Sequence, residues 1–340
     1  MEQLLEVKNL EVNFTTYGGE VKAVRDVSFH INKSEILAIV GESGSGKSVT
    51  VQTIMGLLPK NVTKIKNGAI YYKGQNLLKL KKSQLRKLKG SKISMIFQDP
   101  MTSLNPTMKI GSQIAEGLRI HHNISKQDAK AQATNMIKLV GIPNPEQRYD
   151  QYPHEFSGGM RQRAMIAIAL ACKPELLIAD EPTTALDVTI QAQVLKLMVD
   201  LKEKTDTAII LITHDLGVVA ETAERVAVMY AGVIVETGTV DEIFRNPKHP
   251  YTWGLMESIP DFNSKKKERL IPIEGSPPDL FAPPKGCPFA PRCKYAMEIC
   301  ASEMPGDYEI STSHHAKCWL NDEQSPSADE ILSLGRTLYE

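Results

Sequence analysis

The sequence predicts an α/β fold whose parallel sheet carries a phosphate-binding loop. A glycine-rich stretch, 41–48, follows the apolar segment 35–40 and precedes a segment with a helical pattern, 49–58. Two further apolar segments, 176–180 and 208–213, end at an acidic residue and directly before a histidine, respectively. Apolar runs of this length are typical of strands that a parallel sheet buries on both faces.

The glycine-rich stretch has the full Gly-x-x-x-x-Gly-Lys-Ser pattern of a nucleotide-binding P-loop. Its glycines let the backbone curl so that N–H groups point inward, where they and the helix N-terminus favour an anion. We expect Lys47 to contact the β- and γ-phosphates of ATP and the Ser48 hydroxyl to bind Mg²⁺. A glycine-rich turn without function is the alternative, and the complete pattern disfavours it. The predicted ATP-binding residues of this segment are Gly41, Ser43, Gly44, Ser45, Gly46, Lys47, Ser48 and Val49.

Polar residues at the ends of other predicted strands complete the nucleotide site. Asp180 is a candidate Mg²⁺ ligand, and Glu181 is a candidate for orienting the attacking water. His214 follows a strand and is predicted to hydrogen-bond the γ-phosphate, because ligands bind at the carboxyl ends of parallel strands. Gln98 follows a fourth predicted strand, and its amide is a candidate partner of both the ion and the water. Acids also suit helix N-termini and a strand-end histidine is often an ordinary polar residue, but the P-loop favours catalytic roles for the acids.

A short motif at 157–159 decides the class of P-loop protein. Ser-Gly-Gly opens a helical segment, so its backbone N–H groups present a second anion site, and the serine also suits a helix N-cap. With its flanks the motif resembles the signature of ABC-transporter nucleotide-binding domains, although Phe156 and Met160 depart from the common Leu-Ser-Gly-Gly-Gln form. In that family the signature and the D-loop contact ATP bound to the opposite subunit. The residues given this role by resemblance are Ser157, Gly158, Gly159 and Asp187.

The resemblance extends over residues 4–245, and we assign 1–245 to a nucleotide-binding domain. It implies an ABC-type P-loop NTPase fold with an antiparallel β subdomain near the N-terminus and a helical signature subdomain at 100–172. An aromatic residue near the N-terminus should stack on adenine. Phe14 lies at the family position and is preferred, while Tyr17 is the alternative.

Composition limits the remaining function classes. The chain has 340 residues, enough for one large and one small domain, and its formal net charge is zero, which gives no indication of nucleic-acid binding. No apolar run is long enough to span a bilayer, and the first residues lack the basic segment of a secretory signal. We therefore expect a cytoplasmic protein that reaches a membrane only through a partner.

Four of the five cysteines cluster near the C-terminus, at Cys287, Cys293, Cys300 and Cys318. Cytosolic chains rarely use disulfides, so these thiols are candidate ligands for zinc or an iron–sulfur cluster. Their spacing matches neither the common zinc modules nor the ferredoxins, and His314 and His315 are competing ligands. Reduced thiols that pack without metal are the alternative. Cys172 stands apart and is predicted to be a small buried residue of the signature helix.

The C-terminal part resembles the extension of oligopeptide and dipeptide importer ATPases. His-Pro-Tyr-Thr at 249–252, a proline-rich stretch and the cysteine-containing segment 286–293 carry this resemblance, and 98–106 is similar to the same subfamily. The extension is predicted at 246–320, followed by a tail at 321–340. Members of the subfamily can hold a [4Fe–4S] cluster on these cysteines, which implies the same for the four here.

The resemblance implies the ATP-hydrolysing subunit of a peptide importer on the cytoplasmic face of the membrane. Its implied partners are two transmembrane permeases, a second homologous ATPase and an extracytoplasmic solute-binding protein. A nickel, metallophore or other small-solute importer of the same subfamily is an alternative, because substrate contacts lie in other subunits. A soluble ABC ATPase usually has two cassettes or a coiled-coil insertion, and this chain has neither. A degenerate regulator would lack a catalytic group, whereas Lys47, Glu181 and His214 are present.

Overall fold

The computed structural model describes residues 2–98, 103–182, 188–258, 272–328 and 330. Its strands are β1 (Gln3–Thr16), β2 (Gly19–Asn32), β3 (Ile36–Val40), β4 (Thr63–Tyr72), β5 (Gln75–Asn76), β6 (Ile93–Ile96), β7 (Leu176–Asp180), β8 (Ala208–Ile212), β9 (Arg225–Tyr230), β10 (Val233–Thr239), β11 (Tyr308–Glu309) and β12 (His315–Ala316). Its α-helices are α1 (Lys47–Ile54), α2 (Lys82–Leu88), α3 (Ile110–His122), α4 (Lys126–Leu139), α5 (Pro145–Tyr149), α6 (Gly158–Leu170), α7 (Val188–Thr205), α8 (Leu216–Thr222), α9 (Val240–Arg245), α10 (Pro250–Glu257) and α11 (Glu298–Ser302).

The internal contacts of the chain divide it into two compact units. The first unit comprises Met1–Leu5, His30–Ile36 and Tyr71–Ile212. The second unit comprises Glu6–Phe29, Leu37–Ile70 and Thr213–Glu340. In the part of the chain with described coordinates, no helix has both the length and the apolar character that crossing a membrane requires.

The first unit contains a parallel sheet in which β7 pairs with β6 on one side and β8 on the other. Every residue of β7 and β8 is buried, as the apolar runs predicted. Helices α3, α4 and α6 pack against one another in the same unit. The apolar residues of α3 that face this packing recur four apart, at Ile110, Ile114 and Leu118, which is the stripe expected of an amphipathic helix. The predicted helical subdomain is therefore present between β6, the strand before Gln98, and β7.

The second unit contains β3, which pairs in parallel with β9. β9 and β10 form an antiparallel hairpin, with Val233 opposite Tyr230. The C-terminal part adds two short strands beyond it: β12 pairs with β10 through Glu236 opposite Ala316, and β11 pairs with β12. The extension therefore continues the sheet that also contains the strand before the P-loop.

The predicted N-terminal sheet is also present, with β1 between β2 and β4, and β5 paired antiparallel to the end of β4. Both predicted boundaries of the helix after the P-loop were wrong: it was predicted at 49–58, and α1 begins at Lys47 and ends at Ile54. Gly56 adopts a left-handed conformation (φ 54°), and this conformation ends helices because it turns the backbone out of the helical path.

Candidate functional site

The P-loop glycines lie closer to neighbouring backbone than any other residue type would allow. Gly41 has φ 150°, and a Cβ built on it would lie 2.0 Å from the carbonyl oxygen of Met229 in β9. Gly46 has φ 100°, and its Cβ would lie 2.5 Å from the carbonyl oxygen of Ala23. The curled loop predicted from the sequence therefore requires glycine at these two positions.

Lys47 points into the loop that it follows. Its buried ammonium donates to the carbonyl oxygens of Gly41 at 2.7 Å and Glu42 at 2.9 Å, and to the Ser45 hydroxyl at 3.3 Å. Ser48 and Val49 follow in the first turn of α1, and both are partly buried. The loop thus concentrates one positive charge at a helix N-terminus, where backbone N–H groups also favour an anion.

In the first unit, two of the predicted catalytic side chains meet. The Gln98 amide donates to Glu181 Oε2 at 2.9 Å. Asp180 ends β7 and is 3% exposed, so its carboxylate is placed at the carboxyl edge of the sheet. Glu181 has φ 47°, a backbone conformation that is unfavourable for a residue other than glycine. A hydrogen bond from the Glu181 N–H to the Ile212 carbonyl oxygen holds the backbone in this conformation. The structure therefore fixes the Glu181 backbone and positions its carboxylate against an amide.

The signature motif opens α6 as predicted. The Ser157 hydroxyl accepts a hydrogen bond from the Met160 N–H at 3.3 Å, so the serine is an N-cap. Gly158 and Gly159 form the first turn, and a Cβ on Gly158 would meet no atom within 4 Å, which leaves this turn open to a ligand. The predicted D-loop residue Asp187 lies outside the described residues.

The remaining predicted nucleotide contacts lie in the second unit. His214 is exposed in the turn between β8 and α8. Phe14 is half-buried in β1, while Tyr17 is fully exposed in the turn between β1 and β2. Either aromatic ring can still be the adenine partner on these grounds, and the choice between them stays a prediction.

The four C-terminal cysteines line one small cavity. Cys287, Cys300 and Cys318 are each 8% exposed. Burial raises the pKa of Cys287 to about 11 and that of Cys293 to about 12. The Met297 N–H points at the Cys300 sulfur, with 3.5 Å between nitrogen and sulfur. Among the residues that the structure describes, no three His, Cys, Asp or Glu side chains are arranged to hold a metal ion.

One histidine also lines the cysteine cavity, and it is not one of the two that the sequence suggested. His249 is 1% exposed, and its Nδ1 accepts from the Tyr251 N–H at 3.0 Å. Nε2 therefore carries the proton, and it has no hydrogen-bond partner among the residues that the structure describes. Burial lowers the pKa of His249 to about 4, so the ring is neutral. The predicted competitors, His314 and His315, do not line this cavity.

The two predicted competitors have other partners. His314 Nε2 lies 2.7 Å from Glu236 Oε1, and both side chains are buried. His315 pairs with Asp307 at 3.6 Å. Their role as competing ligands was therefore wrong, because His314 contacts Glu236 of β10 and His315 contacts Asp307 beside β11. Cys172 is 6% exposed, which confirms its predicted burial, but it lies just beyond the signature helix, which ends at Leu170.

Sequence reasoning missed several contacts at the site. The buried Gln162 amide donates to the carbonyl oxygen of Pro182, which ties the signature helix to the residue after Glu181. Glu42 in the P-loop contacts Tyr251 and Arg292 of the C-terminal part. The motifs containing these residues were visible in the sequence, but no local pattern connects positions so far apart in the chain.

Comparison with known proteins agrees with this geometry. The family described as "ABC transporter" matches residues 24–184, and the family described as "Oligopeptide/dipeptide transporter, C-terminal region" matches residues 235–300. The chain is 59% identical over 327 residues to the oligopeptide transport ATP-binding protein OppD of Bacillus subtilis (strain 168), covering 96% of this chain and 91% of that protein. It is 58% identical over 336 residues to the dipeptide transport ATP-binding protein DppD of Lactococcus lactis subsp. cremoris (strain MG1363), covering 98% and 96%.

A solved structure shows the same fold. The chain is similar to the dimeric, post-hydrolysis ATP-binding cassette MJ0796 bound to ADP and Pi, with a TM-score of 0.63 and 26% identity, covering 70% of this chain and 99% of that one. Similarity to the peptide transport relatives extends over nearly the full length of both chains, including the C-terminal extension. The chain belongs to the oligopeptide and dipeptide transport ATP-binding proteins of the ABC transporter family.

Proposed function

We propose that this chain hydrolyses ATP to power the uptake of oligopeptides or dipeptides across the cytoplasmic membrane. The observation that carries the proposal is the P-loop itself, with the Lys47 ammonium buried inside the curl of Gly41–Ser48. The names of the relatives supply the substrate class. The substrate-contacting surfaces belong to other subunits, so the peptide assignment depends on those relatives.

The roles of the site residues follow from their chemistry. Lys47 and the loop N–H groups would bind the β- and γ-phosphates. Ser48, Gln98 and Asp180 would hold Mg²⁺, which neutralises the phosphate charge. Glu181 would orient the attacking water and accept its proton, and the Gln98 amide at 2.9 Å supports the carboxylate in that position. His214 would hydrogen-bond the γ-phosphate.

We further propose that the signature acts on a second, homologous ATPase. Ser157, Gly158 and Gly159 open a helix with free space beside its first turn, and with Asp187 they would contact ATP held by that partner. Two permeases would carry the pair on the cytoplasmic face of the membrane, and a solute-binding protein would deliver substrate from outside. Residues 1–245 would form the nucleotide-binding domain and 246–320 the extension.

The test of the catalytic assignment compares two variants of the assembled transporter. Glu181→Gln keeps the size of the side chain and removes the base, so turnover should fall by about 10²–10⁴-fold while ATP binding persists. Lys47→Ala should weaken ATP binding itself. Glu116→Gln, an exposed glutamate of α3 in the same unit as Glu181, is the matched control and should hydrolyse ATP as the wild type does. Wild-type turnover by Glu181→Gln would remove Glu181 from the mechanism.

We also propose that the cysteine cavity holds a [4Fe–4S] cluster with a structural role. Four thiol groups share one largely buried cavity, and such a donor set suits iron–sulfur ligation. Each thiolate of such a cluster would bind a different iron, so the sulfurs need not converge on one ion as zinc ligands do. His249 also lines this cavity, and its Nε2–H, which has no partner within the described ranges of the chain, is a donor suited to a sulfur that carries negative charge.

Anaerobic purification tests the cluster assignment. The wild-type chain should be brown and contain iron and acid-labile sulfide, and both should be absent after Cys293→Ser is combined with Cys300→Ser. Cys172→Ser is the matched control, because Cys172 is buried in the other unit and should leave the iron content unchanged. A colourless protein with one zinc per chain would contradict the cluster. A metal-free protein whose stability is the same with and without the cysteine substitutions would contradict any metal centre.

A further inference from the structure

Glu42, the second residue of the P-loop, is held by two side chains from the C-terminal extension. Its carboxylate accepts two hydrogen bonds from the Arg292 guanidinium, Nη1 to Oε2 at 2.7 Å and Nη2 to Oε1 at 3.0 Å. Its backbone N–H donates to the Tyr251 hydroxyl at 2.8 Å. A bidentate pair of this kind fixes both distance and orientation. The extension therefore contacts the side chain and the backbone of one loop residue at the same time.

Arg292 is suited to this role because all of its hydrogen-bonding capacity is used. Its side chain is 5% exposed. A guanidinium has five N–H donors, and two of them reach Glu42. The other three reach the carbonyl oxygens of Glu274 (2.8 Å) and Ile273 (3.0 Å) and the hydroxyl of Tyr230 (3.1 Å). Burial alone would lower the pKa of Arg292, but its hydrogen bonds raise the pKa above the usual value.

The aromatic rings of Tyr230 and Phe289 pack against both Arg292 and Tyr251. The rings of Tyr230 and Tyr251 lie 4.6 Å apart, and Phe289 meets Tyr230 edge-on at 5.3 Å. The Arg292 guanidinium lies 5.8 Å from the Tyr230 ring centroid, within cation–π range. Tyr251 is fully buried, so its hydroxyl has little freedom to leave the Glu42 N–H. The contacts to the loop therefore come from a packed cluster.

The same cluster adjoins the cysteine cavity. Arg292 ends the short 3-10 turn Ala290–Arg292, and the next residue is Cys293. Phe289, in the same segment between Cys287 and Cys293, lines that cavity. The guanidinium that holds Glu42 is therefore placed by the segment that joins two of the four cysteines.

We propose that Arg292 and Tyr251 are positioning residues of the ATP site, through which the C-terminal extension holds the P-loop in the shape that receives the phosphates. They act through Glu42. The extension is accordingly part of the nucleotide site. The inference rests on the proposed placement of ATP at the P-loop, and Lys47→Ala tests that placement separately: unchanged ATP affinity of Lys47→Ala would refute the placement, whatever Arg292 does.

The test is an equilibrium titration of the purified full chain with MgATP. Arg292→Lys and Arg292→Ala should raise the Kd for ATP by about tenfold, because lysine cannot make the bidentate pair and a loop displaced by a fraction of an ångström binds phosphate poorly. Arg245→Ala is the matched control, since the Arg245 side chain is 80% exposed and pairs with Asp241 one turn earlier in the same helix. In the assembled transporter, the KM for ATP should rise while kcat at saturating ATP stays at the wild-type value.

A double-mutant comparison separates positioning from general stability. Glu42→Ala and Arg292→Ala should each weaken ATP binding, and the double variant should bind no more weakly than the worse single variant, because both remove one interaction. Glu42→Gln keeps the side-chain shape at a partly exposed position, and should raise the Kd about threefold by removing the charge. Additive effects, or folded Glu42→Gln and Arg292→Lys variants with wild-type Kd, would overturn the proposal.

Discussion

Replacing Gly41 with alanine tests how the P-loop is placed. An added Cβ would lie 2.0 Å from the Met229 carbonyl oxygen and 3.1 Å from the Ser45 hydroxyl oxygen, so the loop or β9 must move. Gly44→Ala is a matched control in the same loop. Gly44 also has a positive φ, 79°, but its added Cβ would meet no atom within 4 Å. The two variants therefore share backbone strain and differ in steric overlap.

The expected loss of stability follows from these two terms. An unfavourable left-handed conformation costs an alanine about 1–2 kcal/mol, and this is the full effect expected for Gly44→Ala. Overlap with a buried backbone carbonyl adds about 1–3 kcal/mol for Gly41→Ala. The free energy of unfolding, measured by urea denaturation of the full chain, should thus fall by about 2–5 kcal/mol for Gly41→Ala.

ATP affinity gives the functional outcome of the same comparison. Gly41→Ala moves the carbonyl oxygen that accepts from Lys47, so it should bind ATP about a hundredfold more weakly than the wild type. Equal stability and equal ATP affinity of the Gly41→Ala and Gly44→Ala variants would refute the reasoning that contact with β9 sets the shape of the loop.

Two further predictions concern the hydrogen-bonded side chains of Glu242 and Gln162. Burial alone would raise the pKa of Glu242, but hydrogen bonds from Ser311 and Thr239 lower it to about 2. Its stabilising contribution is present above its unfolded pKa of 4.5 and is lost as pH falls toward 2. Glu242→Gln should therefore lower the free energy of unfolding, measured by urea denaturation, by about 1 kcal/mol at pH 7 and by almost nothing near pH 2. An equal loss at both pH values would contradict this prediction. Gln162→Leu removes the hydrogen bond from Gln162 to the Pro182 carbonyl, so the free energy of unfolding should fall by about 1–3 kcal/mol and ATP turnover should also fall. Unchanged unfolding and turnover would show that the contact is dispensable.

Much of the nucleotide site could be predicted because its signals are local. The order strand, glycine loop and helix lies within 36–54, so its pattern can be read from consecutive residues. The buried strands β7 and β8 were predicted from runs of apolar residues, and the Ser157 N-cap from a polar residue before a helical pattern. Each of these features depends on a few consecutive residues.

The contacts that join distant segments could not be predicted in this way. Glu42 and Arg292 are separated by 250 positions, and no periodicity links them. His249 was noticed only as part of a motif, whereas it lines the cysteine cavity and caps the N-terminus of α10. The candidate role of His314 as a competing ligand was wrong for the same reason, because its partner Glu236 lies 78 positions away in the chain.

The central claim is that ATP hydrolysis by this chain powers peptide uptake. The most direct test reconstitutes the chain with its two permeases, second ATPase and solute-binding protein in vesicles that contain ATP inside, and measures uptake of labelled di- and oligopeptides. The account predicts peptide accumulation that depends on ATP and is lost with Glu181→Gln. Accumulation of nickel or another small solute in place of peptides would contradict the substrate assignment, and peptide uptake unaffected by Glu181→Gln would contradict the mechanism.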